Sequence, residues 1–236
     1  YNTSYTNQTK SMAEAYGEVI SNTIRSLTLE IESAANDSTA FDSTIPLVTR
    51  QKNLSKLAET ALFKDYSVAY ENGTTYNDTD LSDREYFQKA LNGQVAISAP
   101  VIRKSDGTVT TMMAAPAQYN GQKYVIYGGL DTSMFSNGLD KIDMGTGSNI
   151  VIFDNHGQVI ASSDLEIVTS LTNYLESDNQ SLKKLAEKSM SGESGTYRYN
   201  DGKNNMLAYY MPLAGTDGWT IAVSGNYDQV LGSVFL

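Results

Sequence analysis

The feature that most restricts the fold is an internal repeat. From Tyr66 the chain alternates as a short strand (Tyr66-Ser67-Val68-Ala69-Tyr70), and Asn72-Gly73 follows as a hairpin turn signal. A second extended piece and a short helix over about 81–93 come next, with Ser82 or Asp83 suited to its N-cap and Gly93 to its C′ position. Three strand-like runs then follow, about Ala96–Arg103, Thr108–Tyr119 and Lys123–Gly129, separated by Ser105-Asp106-Gly107 and Asn120-Gly121. The same order recurs. Asn149-Ile150-Val151-Ile152-Phe153, the turn Asp154-Asn155-His156-Gly157 and Val159-Ile160-Ala161 lead to a helix over about 178–190. Three further strands follow at Gly195–Tyr199, Met206–Met211 and Trp219–Ser224. A repeat of roughly 80–90 residues means two copies of one α+β module rather than one large sheet. The glycines around 139–147 mark the joint.

Ahead of the repeat lie two helical stretches. Met12, Tyr16, Ile20, Ile24, Leu27, Ile31 and Ala34 recur every three or four residues, one apolar stripe over about 8–35. A second stretch, about Leu47 to Phe63, carries Leu54, Leu57, Ala58, Ala61 and Leu62 on one side. The fold class is therefore α+β: a long N-terminal helix followed by two modules with antiparallel sheets.

Composition removes most chemistries. The 236 residues include one histidine and no cysteine, with 17 basic against 27 acidic residues and a net charge of −10. Thiolate catalysis, disulfides and cysteine-ligated metals are excluded, and a histidine-rich metal site is implausible. No basic stripe is available to neutralise nucleic-acid phosphates. No phosphate loop or G-x-S-x-G nucleophile elbow occurs. Asp78, Asp80 and Asp83 do not match a calcium loop, and His156 sits in a turn that exposes it. The chain is read as a non-enzyme without a cofactor. No run reaches the roughly 18 apolar residues of a membrane span. The final Val230–Leu236 turns apolar, which suits either the start of a membrane connection or a helix packed on the core.

Two stretches carry a family resemblance. Asp80-Leu81-Ser82-Asp83-Arg84-Glu85-Tyr86-Phe87-Gln88-Lys89-Ala90-Leu91 opens a helix with an acidic turn, an arginine and an aromatic pair. Tyr127-Gly128-Gly129-Leu130-Asp131 runs a strand into an aspartate. With the long helix and the tandem modules, they resemble the double Cache domain, whose modules are each similar to a PAS domain. The resemblance implies an extracytoplasmic sensor region of a bacterial chemoreceptor, sensor histidine kinase or cyclic-di-nucleotide enzyme. It divides the chain into the helices (1–64), a membrane-distal ligand-binding module (65–138), a membrane-proximal module (139–229) and the start of a transmembrane connection (230–236). It also implies a homodimer through the long helix, and membrane attachment through segments outside this fragment.

The candidate site follows from that reading. Arg84, expected in the first helical turn, offers a planar fork of donors that matches a carboxylate; the competing reading pairs it with Asp80, Asp83 or Glu85. Tyr86 and Phe87 lie about 100° apart on a helix, so one packs inward while the other walls a pocket. Ser98, Met112, Ala114, Tyr127 and Gly129 line the cavity if strand alternation is in register. Asp131 is expected either to cap a following helix-like segment or to hold a ligand cation. In the amino-acid-binding subset of the resembled family, a tryptophan and a tyrosine stand where Tyr86 and Phe87 are. A later tyrosine of that subset would fall near Pro100-Val101, where none exists. The expected ligand is a small polar molecule: an amino acid, a small carboxylate or a nucleobase. The second module has no counterpart of Arg84, since its helix opens with Asp178-Asn179-Gln180-Ser181. The alternative is a ligand-independent interaction or dimerisation module of a membrane receptor.

Overall fold

The computed structural model describes residues 3–139 and 148–232. Most of the expected joint (140–147) and the last residues of the expected membrane connection (233–236) lie outside them. Two compact units emerge, one formed by Ile24–Asp131 and the other by Tyr1–Thr23 with Thr132–Leu236. One helix, α1 (Thr3–Ala35), contributes to both.

In the unit Ile24–Asp131, α1 buries Leu27, Ile31 and Ala34. Helix α2 (Leu47–Glu59) follows Pro46 and buries Leu54 and Ala58. It ends four residues before the expected Phe63. The Leu62 N–H donates to the Glu30 carboxylate at 3.0 Å rather than to a helical carbonyl, and Leu62 is left exposed.

Strand β1 (Ser67–Tyr70) is followed by the expected turn at Asn72-Gly73. The second extended piece is reduced to isolated bridges, Ala69 with Thr75 and Thr74 with Asp80. Helix α3 (Glu85–Leu91) is shorter than 81–93 and is capped by Arg84 in extended conformation, not by Ser82 or Asp83. Pro100 lacks the amide a ladder needs, and the run 96–103 is split into β2 (Ala96–Ile97) and β3 (Val101–Ile102). Strands β4 (Val109–Tyr119) and β5 (Gln122–Leu130) form the long central hairpin. The sheet order is β1-β5-β4-β2, with β3 also on β4.

In the other unit, β6 (Asn149–Phe153) and β7 (Val159–Ser162) pair. A short helix the sequence did not announce, α4 (Leu165–Thr169), is capped by Asp164. In α5 (Gln180–Ser189) the Asn179 side chain accepts from Ser181 and Leu182. Strands β8 (Gly195–Asn200), β9 (Asn205–Pro212) and β10 (Thr220–Asn226) complete a sheet ordered β7-β6-β10-β9-β8, and α6 (Tyr227–Gly232) follows. Counting residues 74–75 as the reduced second strand, both sheets share one topology, second-first-fifth-fourth-third. The N-terminal half of α1 docks in this unit. The Tyr5 hydroxyl donates to Leu207 O at 3.1 Å and the Ser21 hydroxyl to Ala214 O at 2.8 Å.

Backbone geometry yields a stability test. Gly73 has φ +94°, and a Cβ there would stand 2.8 Å from the Ser82 nitrogen; Gly93 has φ +96° but open space around it. Gly93→Ala should cost about 1 kcal/mol, the left-handed backbone penalty alone. Gly73→Ala should cost at least about 2 kcal/mol, because strain and a backbone clash add. Urea unfolding of the two variants checks the difference, and equal costs would contradict it.

Candidate functional site

All nine residues singled out from the sequence belong to the unit Ile24–Asp131. Register puts Met112 opposite Gly129 and Ala114 opposite Tyr127. Ala96 pairs with Ala114, and the Ser98 N–H bonds to Met112 O at 2.7 Å. Ser98, Met112, Ala114, Tyr127 and Gly129 therefore share one sheet face, because side chains alternate along a strand. Helix α3 covers that face. Tyr86 and Phe87 join Met112, Ala114 and Tyr127 in one buried cluster with Leu81, Ala90 and Val125.

Within this cluster Met112, Ala114 and Phe87 are packing residues, each at most 1 % exposed. The Ser98 hydroxyl accepts the Met112 N–H at 3.0 Å, which stitches β2 to β4. The polar edge is made by Arg84, Tyr86 and Tyr127. Arg84 is the N-cap residue of α3 and makes no side-chain capping bond. One of its terminal nitrogens, Nη2, donates to Ile102 O at 2.9 Å, while its Nε is buried without a partner among the described residues. Its acidic neighbours are engaged by lysines instead. Asp83 pairs with Lys104, and Glu85 with Lys89 at 3.1 Å across one helical turn. The Lys104 ammonium holds the Asp83 carboxyl below its ordinary value. Tyr86 is buried, and desolvation pushes its phenol up to about 12 against the opposing pull of the Arg84 and Arg103 cations.

Asp131 lies just after the end of β5 and just before a run of turns. Residues 132–138 form successive turns rather than a helix, and Asp131 is exposed.

Two residues of the site were not foreseen. Arg103, at the end of β3, makes a bidentate ion pair with Asp65, Nη1 to Oδ2 at 2.6 Å and Nη2 to Oδ1 at 2.9 Å. Asp65 Oδ1 also accepts the Gly129 N–H at 3.0 Å. The Arg103 guanidinium lies over Gly129, where a Cβ would stand 3.2 Å from Nη1. Asp65 and Arg103 are 38 residues apart, and the only local hint is a cation set just before the turn Ser105-Asp106-Gly107.

A separate cavity of about 570 Å³ lies at the hairpin end of the same sheet, lined by residues including Glu32, Asn36, Asn92, Gln118, Lys123 and Tyr124. It contains none of the nine. Among the described residues no group of three or more His, Cys, Asp or Glu side chains is arranged to hold a metal ion, and no helix is long and apolar enough to cross a membrane. In the other unit the corresponding face is filled by aromatic rings: Tyr174, Tyr199 and Tyr210 pack with Phe153, and the Tyr199 hydroxyl is tied to Ser224 Oγ at 2.8 Å.

Tandem sheets of one topology behind a shared helix agree with a family model, described as Cache domain, that matches residues 1–234. The chain belongs to the Cache domain family. Three solved structures illustrate the fold that this Cache domain shares. The extracellular domain of the candidate histidine kinase rpHK1S-Z16 is 16% identical with TM-score 0.73, covering 95% of this chain and 95% of that one. The ligand-binding domain of the Pseudomonas fluorescens chemoreceptor CtaA, solved with L-serine, is 18% identical with TM-score 0.72, covering 97% and 100%. The sensory domain of the Campylobacter jejuni chemoreceptor Tlp3, solved with isoleucine, is 12% identical with TM-score 0.67, covering 97% and 95%. Comparison with curated protein sequences finds no match.

The raised Tyr86 phenol gives a pH prediction. Its folded value lies above the ordinary 10, so its stabilising contribution is complete below pH 10 and is lost as pH rises through about 12. In an alkaline titration followed by phenolate absorbance, Tyr86→Phe should remove one late-ionising group. Loss of an early-ionising group instead would show that Tyr86 is solvated.

Proposed function

We propose that this Cache domain is the sensor portion of a bacterial membrane receptor. In this reading the unit Ile24–Asp131 binds a small polar ligand with an anionic edge and signals it across the membrane. The carrying observation is the Arg84 guanidinium, held at the cap of α3 with a buried Nε that has no partner among the described residues. A buried donor left unmade costs about 1–3 kcal/mol, and a carboxylate delivers the acceptor that relieves it. The Tyr86 phenol lies in the field of Arg84, and Tyr127 belongs to the same buried cluster as Tyr86. The second unit, its face occupied by its own tyrosines, transmits rather than binds. The domain acts by binding without turnover.

Ligand binding selects the conformation with the better-formed site, and that difference in affinity is the signal. The neighbours CtaA, Tlp3 and the Pseudomonas aeruginosa chemoreceptor PctB were solved with L-serine, isoleucine and L-Gln, which keeps amino acids in the panel beside small carboxylates and nucleobases. In the whole receptor the long helix pairs with a second copy. Val19 (54 % exposed) and Leu29 (65 % exposed) on α1 favour that pairing, and they also motivate the second reading, a dimerisation module that needs no ligand.

Thermal-shift screening tests the proposal. A ligand at 100 times its Kd adds about 2.7 kcal/mol, about 5–10 °C for a domain of this size. Arg84→Ala should fold and lose the shift. A folded Arg84→Ala protein that keeps it removes Arg84 from the site. No shift with any compound, together with a concentration-dependent dimer in sedimentation, favours the second reading.

A further inference from the structure

We propose that Arg103, aimed by Asp65, is a second ligand-binding cation beside Arg84, and that the pair selects short monocarboxylates bearing a hydroxyl or keto oxygen. This rests on the reading of Arg84 as the anion anchor.

Placement comes first. Arg84 bonds to the carbonyl of Ile102, the residue before Arg103, which brings the two arginines to one end of β3. The Arg103 guanidinium lies over Gly129, on the face that carries Met112 and Tyr127. It is not a solvated surface cation, because its side chain is only 12 % exposed. Asp65 grips it by both terminal nitrogens and is itself pinned by the Gly129 N–H. Such a grip fixes the plane of the guanidinium and lowers the entropy lost when a further acceptor binds it. Tyr86 lies in the field of both cations.

Donor count and charge then decide the ligand. With Nη2 on Ile102, Arg84 keeps its Nε–H and further N–H groups for a carboxylate. With both terminal nitrogens on Asp65, Arg103 keeps its Nε–H and its outer N–H groups for a second oxygen. The charge of Arg103 is balanced by Asp65, and that of Arg84 is not balanced by an ion pair among the described residues. The site therefore favours one negative charge plus one neutral acceptor. An ammonium at the second position would meet a guanidinium, and a hydrogen there would leave its donors unmet. Asp65 is the nearest carboxylate to Arg103 and is already committed to it.

The experiment uses isothermal calorimetry on the domain with four probes of one carbon skeleton: L-lactate, pyruvate, propionate and L-alanine. L-Lactate and pyruvate should bind at least about 10-fold tighter than propionate and L-alanine, the ratio expected for one hydrogen bond to a charged donor. Arg103→Met should bring L-lactate down to the propionate value while propionate itself changes little. Arg103→Lys keeps the charge but loses the fork, and should remove most of the discrimination; it serves if Arg103→Met fails to fold. Asp65→Asn should narrow the same ratio without abolishing propionate binding. L-Alanine binding as tightly as L-lactate overturns the inference, as does an unchanged L-lactate to propionate ratio in folded Arg103 variants. If none of the four binds but another compound shifts the wild type through Arg84, the inference falls and the functional reading stands. If L-lactate binds equally with and without the Arg84 side chain, both fall.

Discussion

The unit Ile24–Asp131 depends on a close crossing of backbones at Gly128 and Gly129. The segment Phe63–Tyr66 passes against these two residues. Lys64 N donates to Gly129 O at 2.8 Å, and a Cβ on Gly128 would collide with the Asp65 carbonyl oxygen. Only glycine permits that approach. The crossing leads the chain into β1 beside β5, and it brings the Asp65 carboxylate to the sheet face. There it holds Arg103 and the Gly129 amide together. One steric allowance thus supports both strand order and the charged end of the site.

The two units show how one topology carries unequal chemistry. Both sheets follow the same order, and both are covered by a short helix after their second strand. In the first unit the cap of that helix is Arg84, which has no side-chain capping bond and projects a guanidinium. In the second, Asn179 spends its side chain on the helix amides. Tyr174 and Tyr199 occupy the face instead, their phenols raised by burial. One face is filled with its own rings; the other is edged by a buried donor unmet among the described residues.

The expected site was legible in part. Period-two alternation puts Met112 and Ala114 with Tyr127 and Gly129, and the register joins them as two opposed pairs. Gly93 marked the end of α3 as a C′ glycine. The segment after Asp131 was expected to be helix-like, and residues 132–138 form successive turns. The helix cap fell on Arg84 rather than on Ser82 or Asp83: Asp80 accepts from the Ser82 N–H at 2.8 Å, and the Asp83 carboxylate pairs with Lys104. The partnership of Asp65 with Arg103, 38 residues apart, left as its local sign only a cation set just before the turn Ser105-Asp106-Gly107.

By itself the sequence determined the repeat, the long apolar-striped helix, the α+β class and the absence of thiol chemistry, because these follow from short-range periodicity and composition. Tertiary structure decided which charges face the site. Arg84 escapes its acidic neighbours because lysines take them, and Arg103 is drawn inward by a carboxylate 38 residues away. Such pairings depend on chain crossings, and a crossing is not encoded in any window that local propensities can read.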